Sequence, residues 1–264
     1  MKGKLGDCLV WMCLGGLLAP IQPLMADDWE WTVAPYIWAQ DVGLDVTIDG
    51  DPVFGGSASF NDLVDDIDMA FMGHFEGRKD RWGLYLDTIY VDLSEGNTIP
   101  VGPGGPVLGD FMTEVSVKLQ IYDAGGLYRL SDPGSDVNFD LLAGLRYVDV
   151  DTGASLTFPG PEMNRFAVDF GTSETDLMVG GRLTGKFSPK WNWLLRGDLS
   201  FGGTEGTYNG LVGIGYTFGD TGLFTLDLGY RYMSIEVDST SSRGGQVQSD
   251  LTLSGPVLGF VFNF

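Results

Sequence analysis

Cysteine is almost absent, and both copies, Cys8 and Cys13, sit near the start of the chain. Around them lie Lys2 and Lys4, an apolar run from Cys8 to Leu18, and Leu24-Met25-Ala26 ending on a small residue. That pattern predicts a secretory signal peptide over residues 1–26, leaving residues 27–264 as the mature protein. The mature part then has no thiol, which excludes disulfides, thiolate catalysis and cysteine metal sites together. Basic residues are scarce as well. Without Lys2, Lys4 and Asp7 there remain 13 Lys and Arg against 35 Asp and Glu, a net charge of −22, and a polyanion such as nucleic acid is excluded as a partner. Long hydrophobic runs are also missing. No stretch of 18 apolar residues follows the signal, so no membrane helix is expected.

What the chain does contain is glycine, 40 copies, and a 12% aromatic share, too aromatic for a disordered acidic chain. Polar and apolar residues alternate in runs of about ten, separated by Gly, Pro, Asp and Ser clusters, as in membrane-spanning strands. In one run Trp191, Trp193, Leu195, Leu199 and Phe201 share a face, while Asn192, Arg196, Asp198 and Ser200 share the other. Phe224, Leu226, Leu228, Tyr230 and Tyr232 stand in the same way against Thr225, Asp227, Gly229 and Arg231. Val115, Val117, Leu119 and Ile121 are assigned to lipid by the same rule, against Glu114, Ser116, Lys118 and Gln120.

The predicted strands are 29–48, 66–78, 81–93, 112–130, 136–157, 167–187, 191–201, 207–218, 222–237 and 248–264. Tight turns follow the second, fourth, sixth and eighth of them. The other connections include the longest, 49–65 and 94–110. Short turns on one side and longer loops on the other suit an outer-membrane barrel, whose even strand count returns both termini to the periplasm. Open edges in hydrocarbon would leave unpaired backbone groups costing several kcal/mol each, so the sheet must close. The fold class is therefore all-β: one antiparallel transmembrane barrel of about ten strands, with eight or twelve as alternatives. A soluble barrel would turn its aromatic stripes inward instead. Against it stands the terminal run Leu258 to Phe264, with Phe260, Phe262 and Phe264 at alternate positions. This run resembles the strand signal read by the outer-membrane barrel assembly machinery. Trp29, Trp31, Tyr36 and Trp38 suit an interfacial girdle.

Pro35-Tyr36-Ile37-Trp38, Phe71-Met72-Gly73-His74-Phe75-Glu76-Gly77-Arg78, Trp82-Gly83-Leu84-Tyr85-Leu86-Asp87, Gly144-Leu145-Arg146-Tyr147 and Gly229-Tyr230-Arg231-Tyr232 resemble a group of small Gram-negative outer-membrane β-barrel proteins. The resemblance implies fold and outer-membrane location, and it implies no reaction.

His74 is the only histidine, and alternation puts it on one face with Asp68, Glu76 and Arg78, with Asp87 across the hairpin. An acid–base role is conceivable there, but one imidazole makes a poor transition-metal site. Neither the acidic and Asp-x-His pattern of barrel proteases nor the His and Ser pattern of lipid-modifying barrels is present. The lumen is predicted to hold a charge network of His74, Glu76, Asp87, Glu114, Lys118, Asp140, Arg146, Asp176, Arg182, Arg196, Asp198, Asp227 and Arg231. Opposite charges recur in it at i, i+2 or i, i+4 spacing, as in Arg196 with Asp198 and Asp227 with Arg231. These charges favour a plug of salt bridges over a conducting pore, since ten strands lie nearer the closed than the open limit.

Residues 59–66 allow a short amphipathic helix over the barrel mouth. Their carboxylates could hold Ca²⁺ or Mg²⁺ between lipopolysaccharides, yet the spacing matches no calcium loop and reads as a solvated acidic loop. Gly102-Pro103-Gly104-Gly105-Pro106 lacks the lysine of a phosphate loop.

The sequence thus points to a non-enzymatic outer-membrane barrel, structural or passively permeable to small solutes. The alternative is a ligand-binding or adhesive barrel acting through its outer loops, and an enzyme using His74 comes third. No cofactor or catalytic residue is expected. Partners are membrane lipid and lipopolysaccharide, with periplasmic chaperones and the assembly machinery during biogenesis.

Overall fold

The computed structural model describes residues 29–63, 67–99, 111–132, 134–158, 164–240 and 246–264. The signal segment, both cysteines, residues 64–66 and 100–110 lie outside them. Twelve strands form one antiparallel sheet: β1 (Glu30–Trp38), β2 (Asp41–Ile48), β3 (Asp51–Ala58), β4 (Ile67–Lys79), β5 (Trp82–Ile99), β6 (Phe111–Arg129), β7 (Val137–Phe158), β8 (Asn164–Lys186), β9 (Trp191–Phe201), β10 (Gly206–Phe218), β11 (Phe224–Thr240) and β12 (Gln246–Asn263).

Ten of these make the closed wall. Strand β4 pairs with β1, each later strand pairs with the one before it, and β1 closes on β12 from Thr32↔Asn263 to Trp38↔Val257. The wall strand expected over 29–48 is interrupted at Ala39 and Gln40, and β2 continues it along β12 from Asp41↔Ser254 to Ile48↔Val247. The expected loop 49–65 contains a further strand. Asp49 and Gly50 both take positive φ, 53° and 86°, the conformation a tight two-residue hairpin needs, and β3 folds back on β2. One helical turn follows, α1 (Phe60–Leu63), its first amide donating to the Asp41 carboxylate at 2.8 Å. Strands β5 and β6 run on to Ile99 and from Phe111, so residues 94–99 of the expected 94–110 loop are also wall.

The start of β1 and the end of β12 lie together at one end, where the Trp31 amide donates to Phe264 at 2.8 Å and the Phe264 amide returns a bond at 3.0 Å. The connections at Asp80–Arg81, 187–190 and 219–223 lie at this end, which we call the turn end.

The outer surface changes character along the axis. At the turn end, stacked, tilted and edge-on aromatic pairs girdle the wall: Trp31 with Phe75, Trp82 with Tyr128, Phe187 with Trp193, Trp191 with Tyr216, and Phe224 with Phe262. The indole of Trp193 lies across Gly185, where a Cβ would meet the ring at 2.6 Å. Above this girdle, Leu84, Leu86, Leu141, Leu145, Leu195 and Val212 are exposed. Then come Tyr90, Tyr122 and Tyr147, whose hydroxyls donate away from the band to Asp92, Gln120 and Asp149 at 3.2, 3.2 and 3.3 Å. From Trp82 to Tyr90 is eight residues, which at about 3.4 Å per residue and a tilt near 40° spans roughly 20 Å of axis. An exposed apolar band of that height between two aromatic rims is the surface of a barrel immersed in hydrocarbon.

Beyond the tyrosines the wall continues with its polarity reversed. Asp92, Lys118, Gln120, Asp149 and Asp151 occupy outward positions, and the Gln120 amide donates to Asp149 at 3.1 Å. Ile89, Val91, Leu119, Ile121, Val148, Met233, Ile235 and Leu253 are buried inside. This corrects the lipid-facing assignment of Leu119 and Ile121, which point into the lumen; the side chains of Val115 and Val117 lie outside those described. The reversal has a simple cause. Strands this long leave the membrane, and a wall surrounded by water buries its apolar face inward, as any soluble sheet does.

Candidate functional site: two layers that fill the lumen

Within the membrane band the lumen is occupied by ion pairs. Arg146 is fully buried. Its Nε and Nη2 donate to the two oxygens of Asp123 at 2.8 Å each, and Nη2 also reaches Asp198 at 2.7 Å. Arg196 bonds Asp198 at 2.8 Å and Asp123 at 3.5 Å, and its guanidinium lies over the Tyr85 ring at 5.5 Å. Asn209 donates to Asp198 at 2.8 Å and accepts from Arg231 Nε at 2.8 Å.

A second cluster lies nearer the turn end. Arg182 grips Glu76 through two bonds of 2.6 and 3.0 Å and reaches Asp140 at 2.9 Å. Arg78 bonds Glu76 and Asp140 at 3.0 Å each, and Arg129 Nε adds a third guanidinium to Asp140 at 3.0 Å. His74 joins the two clusters, with Nδ1 3.1 Å from Asp87 and Nε2 3.4 Å from Glu76. Tyr36 donates to Asp87 at 2.9 Å and accepts from Arg231 at 3.1 Å.

Several of these bonds cross the lumen rather than joining neighbours. Glu76 on β4 meets Arg182 on β8, Arg78 on β4 meets Asp140 on β7, and Asp123 on β6 meets Arg196 on β9. Six guanidiniums, of Arg78, Arg129, Arg146, Arg182, Arg196 and Arg231, thus face the five carboxylates of Glu76, Asp87, Asp123, Asp140 and Asp198. Above them sits the apolar layer, which includes Trp38, Met72, Ile89, Ile121, Met233 and Leu253. Arg231 touches both layers, its guanidinium 5.0 Å over the Trp38 ring.

Of the residues assigned to the lumen from sequence, His74, Glu76, Asp87, Asp140, Arg146, Arg182, Arg196, Asp198 and Arg231 meet in this network. Lys118 does not. It lies on the outer face with its Nζ 5.6 Å from the Tyr90 ring, because the inward positions of β6 at that height are the apolar ones. Glu114 lies on β6, but its side chain is outside those described. Asp176 is buried and pairs with no cation among the described residues. It accepts from the Ser200 hydroxyl at 2.8 Å, the amides of Gly203 and Thr204 at 2.9 Å each, and the Thr204 hydroxyl at 2.5 Å, so it pins the β9–β10 connection. The expected Asp227 and Arg231 pair does not form. Arg231 turns to Asn209, Tyr36 and Asp87, while Asp227 Oδ1 is buried without a partner among the described residues.

Sequence reasoning placed Arg78 on the lumen face but missed Asp123, Arg129 and Asn209, and its girdle assignment of Tyr36 and Trp38 is corrected: Tyr36 bonds Asp87 and Trp38 is buried in the apolar layer, because both point inward from β1 into the filled lumen. Asp123 was visible in principle, since it shares a face with Leu119 and Ile121; placing those two against lipid pushed it out of the lumen.

His74 between two carboxylates has the parts of a proton relay, yet among the described residues no hydroxyl or thiol is bonded to it and no group of three His, Cys, Asp or Glu is arranged to hold a metal ion. The geometry braces the wall. Taking one partner from a buried, hydrogen-bonded pair costs about 3–5 kcal/mol.

No sequence family and no curated protein sequence matches the chain. Solved structures do. The outer-membrane protease OmpT from Escherichia coli superposes with a TM-score of 0.50 at 9% identity, covering 90% of this chain and 98% of that one. Ail, the attachment invasion locus protein of Yersinia pestis, gives 0.32 at 13% identity over 90% and 100%. The translocator domain of the autotransporter NalP from Neisseria meningitidis gives 0.37 at 12% identity over 95% and 93%. The chain has the fold of a Gram-negative outer-membrane β-barrel, closed by ten antiparallel strands, and likeness at these identities extends to the fold alone.

Proposed function

We propose that this protein is a non-enzymatic, sealed barrel of the Gram-negative outer membrane that acts from its surfaces rather than as a conduit. The single observation supporting this reading is the double filling of the lumen. A solute would have to part the cross-lumen pairs of Glu76 with Arg182 and Asp123 with Arg196, then displace the buried side chains above them. In this reading residues 1–26 direct export, chaperones and the assembly machinery handle the chain in the periplasm, and the apolar run ending at Phe260, Phe262 and Phe264 is the assembly signal. The turn end faces the periplasm. The long walls lift the β2–β3 hairpin, where Asp41, Asp45, Asp49 and Asp51 are exposed, well clear of the membrane.

That acidic hairpin favours a second reading, an adhesive or ligand-binding surface formed by residues 49–65 and 94–110. The two separate experimentally. Reconstituted into a planar bilayer, the barrel is expected to give no discrete current steps at any voltage; regular steps would overturn the sealed-barrel reading. Deleting residues 100–110 should abolish capture of a surface ligand while heat-modifiable migration of the folded barrel persists, and undiminished capture would remove that loop from the surface reading.

A further inference from the structure

The turn-end mouth of the lumen contains a cavity of about 450 Å³, bounded by the inner faces of β8 to β12 and by the turns at 188–191 and 219–222. Its chemistry differs from the rest of the chain. Elsewhere acids outnumber bases, and every arginine whose side chain is described is ion-paired. Here Lys186 and Lys190 line a cavity with no carboxylate within ion-pair distance of either among the described residues. Around them stand neutral hydrogen-bonding groups: Ser188, Asn192, Thr217 and Asn263. The Ser188 hydroxyl accepts from the Trp191 amide at 3.3 Å, so its own proton remains available. Further up the lumen the way is filled, since Arg182, four residues up the same face of β8, is locked to Glu76 and Asp140. Two carboxylates flank the site. Asp220 stands at the rim and pairs with neither lysine, and Asp227 follows Thr225 on the inner face of β11.

We infer that this vestibule binds a small oxyanion entering from the periplasm, a phosphate or carboxylate group held by Lys186 and Lys190 and oriented by the surrounding hydroxyls and amides. Two free ammoniums supply charge-assisted bonds that an oxyanion strengthens and a neutral solute does not. A concave, low-dielectric mouth concentrates their field. The closed floor makes the vestibule a receptor rather than an entrance. Free phosphate and the terminal carboxylate of a cell-wall peptide share this chemistry and are separated by the choice of probe.

The test is calorimetric titration of the full refolded barrel in non-ionic micelles with inorganic phosphate, with an acetylated dipeptide bearing a free carboxylate, and with the same dipeptide capped as an amide. At least one anionic probe should bind and the capped one should not. Lys186→Gln with Lys190→Gln should weaken binding by about tenfold or more, while Lys118→Gln, on the outer wall, changes nothing. Asp227→Asn should tighten it by removing a nearby negative charge. Should the double variant not fold, loss of wild-type affinity between about 50 and about 500 mM NaCl gives an independent reading of the same contacts. Phosphate alone or peptide alone binding identifies the source. Binding of neither anion, or equal binding by the wild type and a folded double variant, overturns the assignment, and neither outcome bears on whether the lumen conducts.

Discussion

The guanidinium of Arg146 meets the carboxylate of Asp123 through two parallel bonds of 2.8 Å, fully buried in the lumen just below the tyrosine rim. Such a pair is held by geometry more than by net energy, since desolvating both charges offsets most of their attraction. Losing one member is another matter. Asp123→Ala should destabilise the barrel by about 3–5 kcal/mol, because it strands Arg146 and removes a contact of Arg196. Asp123→Leu combined with Arg146→Met should cost distinctly less than the two single changes summed. Urea unfolding of the barrel in micelles measures all of these, and a single-variant loss below about 1 kcal/mol would show that Asp123 is not bound as described.

Strand β6 supplies a sharper test of the polarity reversal. Ile121 is 2% exposed inside the wall and Gln120 faces outward beside Asp149. Ile121→Ala should cost about 2–5 kcal/mol by leaving a cavity in the apolar layer, whereas Gln120→Ala should stay within about 0.5–1.5 kcal/mol, the worth of one partly exposed hydrogen bond. Equal costs would mean that the inside and outside of β6 have been exchanged.

Why the sequence misled on β6 but not on β9 or β11 follows from where each strand sits. Trp191–Phe201 lies within the membrane band, where apolar means outward and charged means inward, and its alternation is legible on that rule alone. The β6 segment around Lys118 to Ile121 lies beyond the band, where water surrounds the wall and the same alternation carries the opposite meaning. Period-two patterning fixes which residues share a face and leaves open what that face touches, unless the height along the strand is known. The tyrosines hold that information: Tyr90, Tyr122 and Tyr147 mark the level at which the rule inverts. Asp49-Gly50, between Val46-Thr47-Ile48 and Pro52-Val53-Phe54, was likewise a readable hairpin signal hidden inside an acidic stretch. The ion pairs across the lumen were less accessible. Arg182 and Glu76 are 106 residues apart, and only closure of the wall brings them together.

Because both cysteines fall among residues 1–26, single engineered thiols can map the boundary directly. Leu86→Cys should react with lipid-soluble reagents and resist charged maleimides in proteoliposomes. Asp92→Cys, six residues further along the same outward face of β5, should show the reverse pattern, as should Lys118→Cys across from it on β6. Protection of all three from charged reagents would extend the membrane past the tyrosines and undo the two-layer description.

The two layers of the lumen act in series, so opening either one alone should leave the barrel closed. Glu76→Ala with Arg182→Ala removes the pair bridging β4 to β8, yet the apolar layer still lies above it, and conductance should remain absent. Met233→Ala, Ile235→Ala and Leu253→Ala together thin the apolar layer but leave Glu76 and Arg182 bridging β4 to β8 below it. Combining the two sets should produce discrete current steps in a barrel that still shows heat-modifiable migration, since ten strands leave only a narrow interior once its side chains are shortened. Current from the Glu76 and Arg182 variant by itself would mean that the apolar layer does not seal. Silence from the folded combined variant would place a further barrier among the remaining Arg146 contacts, where Asp198→Ala is the next substitution to make.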